Sequence, residues 1–367
     1  MKKQILKRGQ MQMLIFTFPI GIYILFGIGA DLKQDAWIGV LTSMVISIPL
    51  VYLFGILLSL YPGENIYGII EKVFGRIIGK IIISIVVFHC IFVSSSILHN
   101  LTDFVELTAL WQTPNIIPAL MVIILCIWML RCGIEVLYNW TRFNLIVIFL
   151  VVLLLLTIVI SNMDINNIRP VLSSGIPEIL KSSISISMLG FAEIFVFMGF
   201  CDCVESKGLK TIFIKPVFLA CIVCTAIVIV NILLLGGEAY GEFYYPGYES
   251  TRRIYVLGEY QRLEATVSIS FMIFRFVEIC FYLFAASKGI QSLFKLNHYK
   301  VILAPIGFIV LNISHTLYNS MFNAIEFIET QWPIYGIITQ VVLPIFILLV
   351  ALLKRKLSKH THGKSIQ

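Results

Sequence analysis

Ten apolar runs set the terms for this chain, at about residues 11–30, 37–60, 78–100, 114–130, 141–161, 182–201, 212–236, 265–287, 301–320 and 333–353. Each is close to the ~20 residues that an α-helix needs to cross about 30 Å of hydrocarbon. Inside a bilayer every backbone amide and carbonyl must find its partner within the protein, so such runs specify helices. Composition agrees: of 367 residues 59% are hydrophobic and 13% charged, against roughly 25% charged in soluble chains. The expectation is an all-α polytopic membrane protein with ten transmembrane helices. It forms one membrane domain over 1–367, not two soluble domains. The first run is a full span without a small-residue cleavage site, so it is not read as a signal peptide.

The first run, Met11–Ala30, carries no charge but holds Pro19 and Gly21 near its middle. Proline removes a backbone donor and glycine tolerates unwound backbone. A break at membrane depth is tolerated where the freed groups face protein, water or a ligand. Ten spans divide into a first five-helix half over 11–161 and a second over 182–353. The sixth run, which opens the second half, reads Ser187-Met188-Leu189-Gly190-Phe191. Paired interrupted spans in two halves of an inverted 5+5 repeat point to a transporter-type binding site. Freed amides suit a carboxylate and freed carbonyls an ammonium, so an amino acid zwitterion fits both. The other reading is two simple kinks in packing helices. Thr17, Pro19, Gly21 and Tyr23 on the first run, with Ser187, Gly190 and Phe191 on the sixth, are the candidate binding residues.

Basic residues orient the chain. With segment 1–10 and the tail 354–367 in the cytoplasm, only Lys33, Arg169, Lys181, Arg252, Arg253 and Arg262 of the 27 Lys and Arg fall outside, and Arg275 lies within a span. The net charge of +7 is therefore a matter of topology and lipid, not of a nucleic-acid partner. Asn65–Lys80 is expected to be an interfacial helix on the inner leaflet, with Ile66, Ile69, Ile70, Val73, Phe74 and Ile77 on one face. The largest outer loop, Gly237–Glu264, is rich in Tyr and Glu, and Glu249–Tyr260 reads as a short helix. The loop is either a lid or docking surface, or an interfacial aromatic belt. The basic tail, with His360 and His362, is expected against anionic headgroups.

Ionisable residues inside the spans are few, and each is a functional candidate by default. Glu193 lies one turn beyond Gly190, on a face with Ser183 and Ser187. It either meets a substrate ammonium or a proton, or makes one interhelical hydrogen bond. Arg275 and Glu278 are neighbours on the eighth span, grouped with Ser268, Met272 and Tyr282. They are either a structural pair beside the cavity or ligand contacts. His89, Ser96 and Asn100 form a stripe on the third span, continued by Asp103. The stripe lines a water path or joins helices, and His89 is a candidate coupling residue. Cys221 and Cys224 sit mid-span with no facing Cys or His pair, so they read as small core residues and no metal is expected. There is no P-loop, HExxH or nucleophile elbow. Neither an enzyme nor a cofactor is expected.

Several phrases resemble one family when taken in order: Asp35-Ala36-Trp37-Ile38, Tyr61-Pro62-Gly63, Glu71-Lys72-Val73-Phe74-Gly75-Arg76-Ile77-Ile78-Gly79-Lys80, Arg169-Pro170-Val171-Leu172, Gly190-Phe191-Ala192-Glu193 and Arg262-Leu263-Glu264-Ala265. Over about residues 10–355 the chain resembles the B subunits of bacterial spore germinant receptors. These are spore germination permeases of the amino acid–polyamine–organocation superfamily. The resemblance implies a LeuT-like bundle in the spore inner membrane. It implies a subunit that binds a nutrient, expected to be an amino acid, and acts with an A membrane subunit and a C lipoprotein. Ligand sites in such folds are lined by the first, third, sixth and eighth spans, which here carry Glu193, Ser96 and Arg275. The glycine pair often seen at the first break is replaced by Gly21-Ile22-Tyr23, and Tyr23 would reshape the pocket. Three functions remain open from the residues: a receptor subunit, an amino acid permease coupled to protons or sodium, and a scaffold with a vestigial pocket.

Overall fold

The computed structural model describes residues 6–363 apart from 206–207, 257–258, 261–262 and 319. Lys2, Lys3, Lys207, Arg262 and Lys364, used above for orientation, lie outside the described residues. The helices are α1 (Arg8–Thr17), α2 (Ile20–Leu25), α3 (Ala36–Leu60), α4 (Ile66–Thr108), α5 (Ile116–Cys132), α6 (Ile134–Val159), α7 (Ile176–Ile186), α8 (Ile214–Leu235), α9 (Gly237–Glu242), α10 (Pro246–Arg252), α11 (Glu264–Phe294), α12 (Leu303–Thr316), α13 (Met321–Glu326), α14 (Trp332–Gly336) and α15 (Leu343–Gly363).

Among the described residues, seven helices are long and apolar enough to cross a membrane: Ala30–Leu60, Ile66–Thr108, Ile134–Asn162, Ile176–Cys203, Leu209–Leu235, Glu264–Phe294 and Asn323–Leu357. The protein is a multi-pass integral membrane protein. The other three expected spans differ for local reasons. The first is cut into α1 and α2 at Phe18-Pro19, where proline withholds its amide. The fourth and ninth, α5 and α12, are apolar but only 17 and 14 residues long. At 1.5 Å per residue they rise about 25 and 21 Å. The fifth begins earlier than expected because Gly133 (φ 113°) ends α5 and starts α6 within one residue.

The centre is the packing of α11 along α4, and α2 and the 192–203 segment also pack on α11. Phe18, Phe197, Phe200, Phe281 and Tyr282 fill this centre, all buried. In contrast, little of α6 beyond Thr141 is buried.

Segments expected on one side of the membrane gather at one end. Leu6 N donates to Cys203 O at 2.7 Å, Arg8 reaches Thr211, and Lys288 pairs with Asp202 at 2.7 Å. At the other end, buried Asp35 accepts from Leu172 N (2.7 Å), Ser173 Oγ (3.0 Å) and Ser174 N (2.9 Å), and Lys33 pairs with Glu238.

Two loop expectations are corrected. The helix expected over 65–80 is shorter, and its apolar face packs on the bundle. It bends at Gly75 (φ 77°, ψ −173°), and Arg76 onward belongs to the third span. Ile66, Ile69, Ile70 and Val73 are buried against the bundle, while Ile77 is 79% exposed on the far side of the bend. Only glycine holds that backbone without strain. No atom would crowd an added Cβ there, so Gly75→Ala isolates the backbone term. It is expected to cost about 1–3 kcal/mol, read as a lower Tm in detergent with binding affinity unchanged.

In the outer loop, Glu249–Tyr260 is not one helix. Helix α10 starts at Pro246 and ends at Arg252, and a two-residue pair follows, β1 (Tyr255–Val256) antiparallel to β2 (Glu259–Tyr260). Proline at the first helical turn sets that earlier start. The loop packs on the end of α2. Tyr240 Oη donates to Ile28 O at 3.0 Å, and Tyr244 and Tyr245 pack edge-on to Phe26. A Cβ on Gly247 would stand 2.0 Å from Ile24 O, so glycine permits this contact. Burial, then the nearby Asp103 carboxylate, pushes the Tyr244 phenol up to about 12. These contacts bury Tyr240 and Tyr245 against the rest of the protein.

Candidate functional site

The two breaks meet. A Cβ on Gly190 would lie 3.4 Å from Tyr23 Cε2, 3.5 Å from Tyr23 Oη and 3.9 Å from Pro19 Cβ. In the sixth span the break is a change of helix type: α7 passes through a π turn over Ser187–Phe191 into a 3₁₀ helix over Ala192–Cys203. Such bulges disturb the regular ladder and often mark functional positions. In the first span the backbone stays near helical angles through Phe18 and Pro19, so the break is a kink with missing hydrogen bonds.

Helix α11 carries Arg275, Glu278 and Tyr282 to this junction. Arg275 Nη1 donates to Glu278 Oε2 at 2.5 Å, and both residues are buried. The guanidinium also stands 5.5 Å from the Phe271 ring and 5.7 Å from Phe26, a favourable cation–π placement. Glu278 reaches the first break: a Cβ on Gly21 would be 2.1 Å from Glu278 Oε1. Glycine at 21 is therefore what allows the carboxylate to approach. Among the described residues Glu278 Oε1, Arg275 Nε and Tyr23 Oη find no hydrogen-bond partner. Buried polar atoms in native structures are usually satisfied, so these three mark a place built for something further.

Glu193, on the 3₁₀ segment, accepts from Tyr282 Oη at 3.2 Å. The Tyr282 ring packs edge-on to His89 at 6.3 Å, and His89 Nδ1 lies 3.0 Å from Tyr335 Oη. Gly21, Tyr23, Gly190, Phe191, Glu193, Arg275, Glu278 and His89 thus form one connected cluster, with Phe191 6.2 Å from the Tyr23 ring.

Other candidates stand elsewhere. Thr17 Oγ1 donates to Leu14 O in its own helix. Ser187 is held to Ser47 at 2.6 Å, a helix-to-helix bond. Ser96 faces Tyr318 at 3.4 Å, toward a separate cavity of about 230 Å³ lined by His99, Asp103, Asn115 and Ser314. Met272 is 38% exposed and does not share the buried face of Arg275 and Glu278, because that face turns toward α2 and α4.

Sequence reasoning missed Tyr335 and Trp332. Trp332 Nε1 donates to Met188 O at 3.3 Å, against the π turn. Nothing in an apolar span singles out one aromatic residue, so only packing identifies them. Tyr282 was legible as the residue one turn beyond Glu278.

Residues 5–323 match the family model described as spore germination protein. Spore germination protein KB of Bacillus subtilis (strain 168) is 24% identical over 369 residues, covering 99% of each chain. Putative spore germination protein YfkT of the same strain is 21% identical over 318 residues, covering 87% of each. Among solved structures, Mhp1 superposes with a TM-score of 0.67 at 10% identity, covering 88% of this chain and 74% of that one. It is a nucleobase-cation-symport-1 family transporter in a closed conformation with bromovinylhydantoin bound. MhsT in complex with L-phenylalanine gives 0.63 at 14% identity, covering 96% and 99%. The chain has the LeuT-type fold of these transporters.

Proposed function

We propose that this chain, which belongs to the spore germination protein family, is the nutrient-binding membrane subunit of a germinant receptor. The reading places it in the spore inner membrane with both termini cytoplasmic, acting with an A subunit and a C lipoprotein. The observation that carries the site is the approach of Glu278 to Gly21 beside Arg275. An α-amino acid fits the two unpaired atoms, its ammonium toward Glu278 Oε1 and its carboxylate toward Arg275 Nε. In a low-dielectric core each of those contacts is strong, and each atom is costly to leave unpaired. Signalling then needs the ligand to bind one arrangement of the bundle more tightly than the other. The packing of the 237–254 loop over α2 supplies a part that such a change could move.

The test uses the purified protein in liposomes with radiolabelled amino acids outside. Bound plus internal label saturating near one per protein supports the receptor. A scaffold with a vestigial pocket retains no label above an empty liposome.

A coupled permease is the second reading, and one observation favours it. The cluster holds two carboxylates, Glu193 and Glu278, to one guanidinium, Arg275. A zwitterion adds no net charge, so a proton or one monovalent cation would complete the balance. Label rising far above one per protein, and rising with an inward proton or sodium gradient, would establish that reading. Glu193→Gln keeps the shape and the Tyr282 contact but removes the charge. If Glu193 holds that proton or cation, the variant is expected to weaken binding about tenfold, the loss of its charge-assisted contact with the coupled cation of about 1.5 kcal/mol. An unchanged dose–response would assign Glu193 a neutral structural role.

A further inference from the structure

A groove of about 680 Å³ opens at the end of the bundle that holds the basic segments, between α1, α3 and α8. Its walls are Ile48, Ile214 and Phe218, and its rim carries Arg8 and Lys215. Among the described residues, no acidic side chain lines it. Arg8 is not a free surface arginine. Its Nη2 donates to Thr211 Oγ1 at 2.9 Å, and a Cβ on Gly208 (φ 73°) would stand 2.3 Å from Nη1. Glycine at 208 therefore leaves the room in which the guanidinium lies. Lys215, in the first turn of α8, is exposed. Beyond the groove the wall continues: Phe218 is 48% exposed, and Ile222, one turn on, is also 48% exposed.

We propose that this groove binds one anionic phospholipid of the inner leaflet, its phosphate on Arg8 and Lys215 and an acyl chain along Ile48, Phe218 and Ile222. Two physical arguments select the lipid. An open apolar groove on the side of a membrane helix faces hydrocarbon, so acyl chain is what covers it. Its rim is doubly positive, and basic pockets between spans on the cytoplasmic side suit anionic headgroups. A soluble anion would satisfy the rim and leave the wall uncovered. Arg8 is also the first residue of α1, whose far end is the Pro19 kink. A lipid seated there holds the inner half of the first span in place.

The test is native mass spectrometry of the full-length protein in detergent, titrated with phosphatidylglycerol, with phosphatidylcholine of the same acyl chains, and with inorganic phosphate. One phosphatidylglycerol is expected to be retained roughly 30-fold more tightly than phosphatidylcholine, the combined pull of two basic side chains. Arg8→Gln/Lys215→Gln should abolish that preference while keeping the same Tm in phosphatidylcholine. Lys215→Gln alone, on an exposed position, should reduce it even if the double variant does not fold. Equal retention of both lipids overturns the site, as does a preference unchanged in Lys215→Gln. Displacement of phosphatidylglycerol by millimolar phosphate would also overturn it, since the rim would then be an anion site without a lipid.

Discussion

Gly21→Ala protein is expected to reach the membrane at the wild-type level and to lose amino acid binding by one to two orders of magnitude. One methyl group is enough, because its carbon would stand 2.1 Å from Glu278 Oε1 and 3.1 Å from Phe274 Cβ. Overpacking of this kind costs about 1–3 kcal/mol, which is about 5- to 150-fold if it falls on the bound state. The carboxylate must swing away from the first break, and the contact proposed for the ammonium goes with it. Gly190 supplies the control. A methyl group there would meet the Tyr23 ring at 3.4 Å, an ordinary contact, so Gly190→Ala should bind almost normally. Gly190→Leu, with three further carbons, should abolish binding without removing the protein from the membrane. The liposome label reads all three variants. Normal binding by Gly21→Ala would remove Glu278 from the site, and normal binding by Gly190→Leu would move the pocket away from the breaks.

Arg275→Met is expected to be far more damaging to stability than the double variant Arg275→Met/Glu278→Met. Removing one partner of a buried pair strands the other, at about 3–5 kcal/mol. Here the stranded Glu278 would be a second buried carboxylate beside Glu193, without the guanidinium that pairs with it. Replacing both partners with apolar side chains of similar length is often close to neutral. The single variant should therefore show a large fall in Tm and yield, and the double variant a recovery of both. Binding is the separate readout. A double variant that folds but retains no label means the pair meets the ligand. A double variant that folds and binds normally means Arg275 and Glu278 only join α11 to its neighbours.

Much of this arrangement was legible in the chain. Pro19 withholds an amide wherever it stands, so the first break needed no tertiary information. Arg275 and Glu278 are three residues apart, and three residues on a helix are always neighbours. Glu193 was conspicuous because ionisable side chains are rare in hydrocarbon. The family phrases likewise point to the spore germination permeases, and the match over residues 5–323 agrees.

Other features have no local cause. Ser187 shares a face with Gly190 and Glu193 in the sequence, yet its hydroxyl is taken by Ser47, 140 residues away. Ser96 sits on the His89 stripe but faces Tyr318. The stripe is real as a periodicity, but several neighbouring helices contact it, and each residue takes the partner nearest to it. The bend at Gly75 was hidden because the amphipathic pattern runs straight through it. A hydrophobic period reports which residues share a face, not where the axis turns.

What the sequence determines by itself, then, is everything set by short-range physics and by the membrane. Apolar length makes the helices, and proline and glycine make the interruptions. The tertiary structure decides which interruption meets which charge. Glu278 lies at Gly21 only because α11 packs against α2 at a distance that a single Cβ would forbid. That distance is a property of two surfaces in contact, and no spacing along one chain contains it.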